Sequence, residues 1–326
     1  MCCSWNPSKN NKNVKSIRIL SLQQDLKVSV CMITYGHEKY IREAIEGVLM
    51  QECDFEVEFI LANDCSPDQT EVVIQDVLAH HPKASWIKYM KHDKNIGMMP
   101  NFIDALGQCS GDYIALCEGD DYWTDPLKLQ KQVNFLHLNL DYVLSFHKVD
   151  ILKLNGEIVY DFITTVPENH ETIETLARLG NYIHTPSVLF RNVIKEFPFE
   201  FEQSPIGDYF LYMMLAEQGK LKYLDEKMGV YRYGVGVFSG NSRFIMAKTN
   251  VKLFTCLLSY LKDDEIKKIV FDRQLQAVSQ LEKTINEKYN SYFISNHVFF
   301  KIIKFIQLNY EQPIILVKRI TSKLVK

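Results

Sequence analysis

The chain has 326 residues and a mass of 38.0 kDa, enough for about two domains or for one α/β domain with an extension. Hydrophobic residues make up 47% of it and charged residues 24%, which excludes a disordered chain and a fibrous repeat. The formal net charge of -3 at pH 7 does not indicate a nucleic-acid-binding protein.

The eight cysteines include no Cys-x-x-Cys pair, and Cys31 and Cys117 lie inside apolar runs. We therefore expect free thiols, as in a reducing compartment. Residues 1–25 are polar and lack the apolar core of a signal peptide, and no apolar stretch reaches about 18 residues. These observations predict a cytoplasmic location.

Short apolar runs alternate with helical patterns through the first 140 residues. Strands are predicted over 28–33, 57–62, 86–90 and 113–117, and helices over 38–51, 68–79 and 98–106, with a further helix opened by Pro126. This alternation at this spacing predicts βαβ units, and the nearly continuous apolar strands indicate burial on both faces of a mainly parallel sheet.

From about residue 141 the pattern is mixed. Strands are predicted over 142–146, 158–162 and 187–190 and helices over 171–179 and 208–218; residues 221–233 close this part, and the chain is almost entirely helical beyond 242. The predicted organisation is an N-terminal extension (1–26), an α/β domain (27–240, with halves 27–140 and 141–240) and a C-terminal helical region (241–326).

Polar residues follow all four strands of the first half. They are Thr-Tyr-Gly-His at 34–37, Asn-Asp-Cys-Ser-Pro-Asp at 63–68, Asn-Ile-Gly at 95–97 and Glu-Gly-Asp-Asp at 118–121. Open parallel sheets bind ligands at the carboxyl ends of their strands, so the shared position predicts a ligand site there.

Three carboxylates in four residues, Glu118, Asp120 and Asp121, repel one another unless a cation compensates them. Oxygen ligands after a buried strand suit Mg²⁺ or Mn²⁺, which share their coordination with substrate phosphates. The alternative is an acidic turn that caps the helix beginning at Pro126.

Other polar residues at this edge also have two interpretations. Asp64 could accept a hydrogen bond from the imide of a uracil base, and Tyr35 could stack on that base. Alternatively, Asp64 and Ser66 could form an Asx turn and a helix N-cap, and Tyr35 could be a packing aromatic residue. Asp208 could be a general base or an N-cap. The single histidines His37 and His184 are expected to be structural, and no P-loop is present.

Residues 28–35, 63–66, 95–97 and 111–126 together resemble family 2 glycosyltransferases of bacterial polysaccharide assembly. The most specific part, 111–126, reads Gly-Asp-Tyr-Ile-Ala-Leu-Cys-Glu-Gly-Asp-Asp-Tyr-Trp-Thr-Asp-Pro. The resemblance covers about 28–240 and implies a GT-A fold, in which a Rossmann-like nucleotide-sugar half precedes an acceptor half. It also implies inverting, metal-assisted transfer of a hexosyl or N-acetylhexosaminyl group from a nucleotide sugar, usually UDP-linked, to a hydroxyl of a glycan or lipid-linked acceptor.

The same resemblance assigns residue roles. Asp120, with Glu118, would bind the metal, Asp121 would orient sugar or metal, and Asp208 would be the catalytic base. Tyr35 would stack on the base and Asp64 would bind it. The implied donor-binding set is Thr34, Tyr35, Asp64, Asn95, Gly97, Glu118, Asp120 and Asp121. Thr185-Pro186-Ser187 matches the acceptor-side loop.

This chain departs from the family pattern in the segment 231–234 and, mildly, at Gly36 and Cys65, where relatives often have Asn or Asp-Gly. Relatives often carry a histidine in the segment that matches 231–234; it is missing here, and Arg232 is the candidate to replace it. The Gln-x-x-Arg-Trp signature of processive synthases is also missing, so we expect one sugar per encounter. Two alternatives to a transferase are a sugar nucleotidyltransferase and a non-catalytic carbohydrate-binding relative.

Residues 291–326 carry six basic residues and one acidic residue, interleaved with apolar ones. This pattern is typical of a helix at a membrane interface, or of a helix packed on the domain with a solvated basic face. A lipid-linked acceptor would favour the first interpretation, which predicts peripheral attachment to the inner leaflet.

Overall fold

The computed structural model describes residues 26–236 and 242–289. The strands are β1 (Lys27–Thr34), β2 (Glu56–Asn63), β3 (Ile87–Lys91), β4 (Tyr113–Leu116), β5 (Tyr122–Trp123), β6 (Tyr142–Leu152), β7 (Ile158–Tyr160), β8 (Leu189–Arg191) and β9 (Lys220–Arg232). The helices are α1 (Ile41–Leu49), α2 (Thr70–His80), α3 (Met98–Gly107), α4 (Lys128–Leu138), α5 (Ile173–Leu179), α6 (Phe199–Glu202), α7 (Gly207–Ala216), α8 (Arg243–Tyr260) and α9 (Asp264–Tyr289).

These strands form one sheet in the order β3-β2-β1-β4-β8-β6-β9-β5, and β7 pairs with β6. The first four strands are parallel, as the βαβ pattern predicts. Beyond β4 the pairing changes: β8 is antiparallel to β4 and β6, β9 is parallel to β6, and β5 is antiparallel to β9. The predicted α/β class with a mainly parallel, Rossmann-like first half is confirmed.

Both faces of the parallel part are buried, because successive side chains of each strand point to opposite sides. In β1, Val28, Val30 and Met32 face a core formed with α1, α2 and α4. Cys31 of the same strand faces the other core, formed with α3, α5 and α7. This two-sided burial fixes the strands, so the loops at their carboxyl ends are held in one position.

Several element bounds differ from the sequence prediction. The helix expected to open at Pro126 begins at Lys128, because the Asp125 carboxylate accepts from the Leu127 amide and the Asp125 carbonyl from the Lys128 amide. Strand β7 ends at Tyr160 rather than at 162, and β8 begins at Leu189, since residues 185–187 form a short 3₁₀ turn. The two-residue strand β5 was not predicted.

Helices α8 and α9 share a core with the α/β part. Leu253, Leu257 and Val270 join the cluster that contains α3 and α7, and the Gln274 amide donates to Thr255 Oγ1 at 2.7 Å. The domain boundary near 240 stays a prediction. Within the described ranges, no helix is long and apolar enough to span a bilayer, and the basic tail at 291–326 lies outside them.

Candidate active site

The loops that follow β1 and β2 are joined at the carboxyl edge of the sheet. The Gly36 amide donates to Ser66 Oγ at 3.1 Å, and the His37 amide donates to Thr70 Oγ1 at 2.8 Å. Thr34, the last residue of β1, is buried, and its hydroxyl lies 3.1 Å from His37 Nδ1. The Tyr35 ring is 46% exposed and therefore available for stacking.

Asp64 connects the loop after β2 to the loop after β3. Its two carboxylate oxygens accept from the Ile96 amide at 2.7 Å and the Gly97 amide at 2.9 Å, and its side chain is buried. Gly97 has a φ of 95°, a conformation that favours glycine. Asp64 thereby holds the 95–97 loop, with Asn95 exposed, against the site.

The N-cap interpretation of Asp64 and Ser66 is wrong. Helix α2 begins at Thr70, and the Thr70 amide donates to the Asp68 carboxylate at 3.1 Å instead. Ser66 donates through its amide and its hydroxyl to the Asn63 side chain.

The acidic loop, residues 118–121, brings Glu118, Asp120 and Asp121 together with carboxylate oxygens within 4.8 Å of one another. Burial, followed by the negative charges of Asp120 and Asp208, raises the pKa of Glu118 to about 8. Burial, followed by the charges of its two neighbours, also raises the pKa of Asp121 well above its usual value. None of the three caps α4: its N-cap residue is Leu127, with no side-chain cap hydrogen bond, so the capping alternative is wrong.

Gly119 allows this loop to lie directly on β1. A Cβ at this position would stand 2.7 Å from Thr34 Oγ1 and 2.9 Å from His37 Nδ1, closer than carbon atoms approach such groups. The Gly119 amide donates to the Ile33 carbonyl at 3.0 Å. Any side chain at 119 would push the acidic loop away from Thr34.

Arg232, at the end of β9, supports the acidic loop from the second half of the sequence. Its amide donates to Asp121 Oδ1 at 2.7 Å, and its guanidinium contacts the Asp120 carbonyl and the Glu43 carboxylate. The guanidinium also lies between the rings of Tyr40 and Tyr122, 4.9 and 4.7 Å from their centroids. Arg232 is therefore a buried positive charge behind the carboxylates.

Asp208 lies in the first turn of α7. Asn181 Nδ2 donates to its Oδ2 at 2.9 Å, and Thr185 also hydrogen-bonds to it. The N-cap of α7 is Ile206, so the N-cap interpretation of Asp208 is wrong. Burial raises the pKa of Asp208, and because its charge in turn raises the pKa of Glu118, the two carboxylates belong to one electrostatic cluster.

The acidic loop fits a divalent cation. Three carboxylates converge, and Asp121 Oδ2 is buried with no hydrogen-bond partner among the described residues. An unpaired carboxylate oxygen beside two further carboxylates is costly without a cation and is a hard ligand for one. The protein provides few ligands, which leaves room for water and substrate oxygens.

Sequence patterns missed Glu43, Tyr40 and Tyr122, which hold Arg232. Glu43 lies on the polar face of an amphipathic helix, where a charged residue is expected and indicates no function. Tyr40 and Tyr122 are interpreted from the sequence as packing residues. No local signal in the sequence identifies their shared contact with Arg232, which lies more than 100 positions after each of them.

The sequence profile described as "Glycosyl transferase family 2" matches residues 29–197, slightly more than half of the chain. The chain belongs to this family. An uncharacterized protein of Mycobacterium tuberculosis is 37% identical over 205 residues, which cover 63% of this chain and 58% of the relative. An uncharacterized glycosyltransferase of Methanocaldococcus jannaschii is 26% identical over 208 residues, which cover 63% of this chain and 70% of that one.

Solved structures support the GT-A fold of this family 2 protein. S. aureus TarS in complex with UDP-GlcNAc has a TM-score of 0.57 at 18% identity, with 82% of this chain and 77% of that one covered. The mannosyltransferase PcManGT of Pyrobaculum calidifontis, in complex with GDP-Man and Mn²⁺, has a TM-score of 0.58 at 14% identity, with 92% and 85% covered. The chain spans 58% of the length of its mycobacterial relatives, so what these proteins bind bears on this one only as a proposal.

Proposed function

We propose that this protein is an inverting, non-processive transferase that moves a hexosyl or N-acetylhexosaminyl group from a nucleotide sugar to a hydroxyl of a glycan or lipid-linked acceptor. One observation carries the proposal: the carboxylates of Glu118, Asp120 and Asp121 converge within 4.8 Å at the carboxyl edge of the sheet, and the negative charge of Asp208, from the other half of the sequence, acts on Glu118. A base and a diphosphate site in one cluster are what a single displacement requires.

The donor would bind along the carboxyl edge. Tyr35 offers an exposed ring for the base, and Asp64 holds the 95–97 loop that would close the base pocket together with Thr34, Asn95 and Gly97. A UDP-linked donor is supported by the complex of TarS with UDP-GlcNAc, although PcManGT binds GDP-Man.

Asp120 and Glu118 would hold Mn²⁺ or Mg²⁺, and Asp121 would orient sugar or metal. When bound there, the cation would offset the charge that develops on the leaving diphosphate. Arg232 keeps this loop in place through the Asp120 carbonyl and the Asp121 carboxylate.

In the reaction, Asp208 takes the proton of the acceptor hydroxyl. The hydroxyl oxygen forms a bond to the anomeric carbon, while the bond from that carbon to the phosphate oxygen breaks and its electron pair leaves with the nucleoside diphosphate. Attack from the face opposite the leaving group inverts the configuration. The raised pKa of Asp208 makes it a stronger base than an exposed aspartate.

The test is release of free nucleotide from a panel of UDP- and GDP-sugars with Mn²⁺ present. We expect release by the unmodified protein and none by Asp120→Ala. Asp76→Asn, on the exposed face of α2, is the matched control and should behave as unmodified protein. No release from any donor, or equal release by Asp120→Ala, would contradict the proposal.

A further inference from the structure

A pocket of about 470 Å³ lies in the second half of the α/β part, beside β6, β7 and β9. This volume is within the range of pockets that bind small molecules. Its walls come from residues 146–149 of β6, from the segment 160–166, from Tyr182 and His184, and from Tyr223 and Asp225 of β9. None of these residues belongs to the proposed donor site.

One part of the wall is aromatic. The Phe146 ring packs against Tyr182 and Tyr223 with centroids 6.0 and 5.3 Å away, so these rings form a fixed floor. Tyr160 is 75% exposed. Lys227 Nζ stands 4.9 Å from the Tyr160 centroid and pairs with Asp150, so one face of the ring is covered and the other remains for a ligand.

Several polar groups of the wall are paired with one another. Asp161 Oδ2 lies 2.9 Å from His184 Nε2, and Lys148 Nζ lies 3.1 Å from Asp225 Oδ1. The Tyr223 hydroxyl lies 3.2 Å from the same Asp225 oxygen. With a single lysine against two carboxylates, the wall has no excess of positive charge for a phosphate. Aromatic faces combined with balanced donors and acceptors suit a neutral, polyhydroxylated ring.

The segment 181–185 connects this pocket to Asp208. Asn181 and Thr185 hydrogen-bond to the Asp208 carboxylate, while Tyr182 and His184, between them, line the pocket. The His184 ring also lies 4.9 Å from the ring of Tyr231, the residue before Arg232. A ligand in the pocket is therefore separated from the base by a single stretch of chain.

We propose that this pocket binds a neutral pyranose unit of the acceptor glycan, with Tyr160 as its stacking platform. The inference rests on the proposed function only where it identifies the bound saccharide as part of the acceptor. Saccharide binding in this pocket does not itself depend on transfer. The unit bound here would hold the glycan while another of its hydroxyls reaches Asp208.

Saturation-transfer difference NMR tests the inference with four probes: the methyl glycosides of glucose, galactose, mannose and N-acetylglucosamine. We expect saturation transfer to the ring protons of at least one probe, and UDP with Mn²⁺ should not displace it. Tyr160→Ala should weaken that binding about three- to tenfold through the lost stacking surface. Tyr160→Phe keeps the ring and should bind within about twofold of unmodified protein.

Phe199→Ala is the matched control, since Phe199 is an exposed aromatic residue on α6, outside the pocket wall, and should bind as unmodified protein does. The inference is overturned if no probe shows transfer, if UDP displaces the probe, or if Tyr160→Ala binds as tightly as Phe199→Ala. If the probes bind but no nucleotide sugar is turned over, the proposed function fails while the saccharide site stands.

Discussion

The two halves of the α/β part build their share of the site in different ways. In residues 27–140, four parallel strands in close register bring consecutive loops to one edge, and each loop contributes residues that adjoin one another in sequence. In residues 141–236, antiparallel and parallel pairings are mixed and β9 shifts register against β6, so the functional residues come one at a time from distant segments.

This difference shows that the loops of the proposed donor site and the residues that complete the site from the second half leave different signals in the sequence. The functional residues of the first half form short motifs, whereas the roles of Asp208 and Arg232 depend on contacts across more than 20 positions, and for Arg232 across more than 100. The variants below test whether each half contributes what this comparison assigns to it.

The largest effect is expected for Asp208→Asn, which removes the one base assigned to the second half. Loss of a general base typically costs about 10²–10⁴-fold in rate, so kcat should fall by that amount while UDP and Mn²⁺ still raise the Tm. Asp141→Asn, an exposed aspartate paired with Lys220, is the control. Normal turnover by Asp208→Asn would show that the second half does not supply the base.

Glu58→Gln should destabilise the parallel sheet of the first half. Glu58 is buried between β1 and β3 and accepts from Ser29 at 2.5 Å and Lys88 at 2.6 Å, and its partner Lys27 lies 3.0 Å away. Burial alone would raise its pKa, but hydrogen bonds from Lys88, Ser29, Ser110 and Lys27 outweigh burial and lower it. We expect a loss of about 2–4 kcal/mol in the free energy of unfolding.

Chemical denaturation at several pH values measures this loss. Because the pKa is lowered, the stabilisation by Glu58 is complete above its ordinary value of 4.5 and disappears as the pH falls below it. Glu56→Gln, in the same strand but exposed and paired with Lys27, should cost less than about 1 kcal/mol. Equal losses for the two variants would mean that burial of Glu58 does not matter.

Mn²⁺ affinity should depend on pH. Burial and neighbouring charges raise the pKa of Glu118 to about 8, so below that value a cation must displace a proton. The affinity should fall by up to about tenfold per pH unit between pH 8 and 6, measured by calorimetric titration. Glu118→Gln should bind more weakly and with a flatter profile, and a flat profile in the unmodified protein would contradict the raised pKa.

The smallest effect is expected for Arg232→Lys, which weakens the support that the second half gives to the first. Lysine keeps the charge but loses the planar group that reaches both the Asp120 carbonyl and Glu43. Mn²⁺ affinity should fall about three- to tenfold. Arg42→Lys, on the exposed face of α1, is the control and should leave Mn²⁺ affinity unchanged.

The sequence predicted the parallel strands and the shared edge because both depend on local periodicity. Buried strands are apolar on both faces, and polar residues follow where burial ends. The loops at 34–37, 63–68 and 118–121 can therefore be predicted from the sequence. The convergence of Glu118, Asp120 and Asp121 follows from their spacing of at most three residues.

The remaining features depend on contacts that spacing does not reveal. From the sequence, Asp64 could be a turn residue or a ligand of the base. Its hydrogen bonds with the Ile96 and Gly97 amides cannot be predicted without knowing how the two loops meet. Glu58 looked like one polar residue in an apolar strand, although its register places it opposite Ser29. The pocket beside β7 has walls from four separate segments, so no single motif marks it.

The position of Arg232 has a consequence for the order of events during synthesis. The acidic loop emerges from the ribosome more than 100 residues before the guanidinium that balances it, so the nascent first half carries three crowded carboxylates without their internal counter-ion. Metal binding and the docking of β9 should then be mutually reinforcing steps of maturation. A chain released before residue 232 would lack this guanidinium and, with it, the support of the cation site.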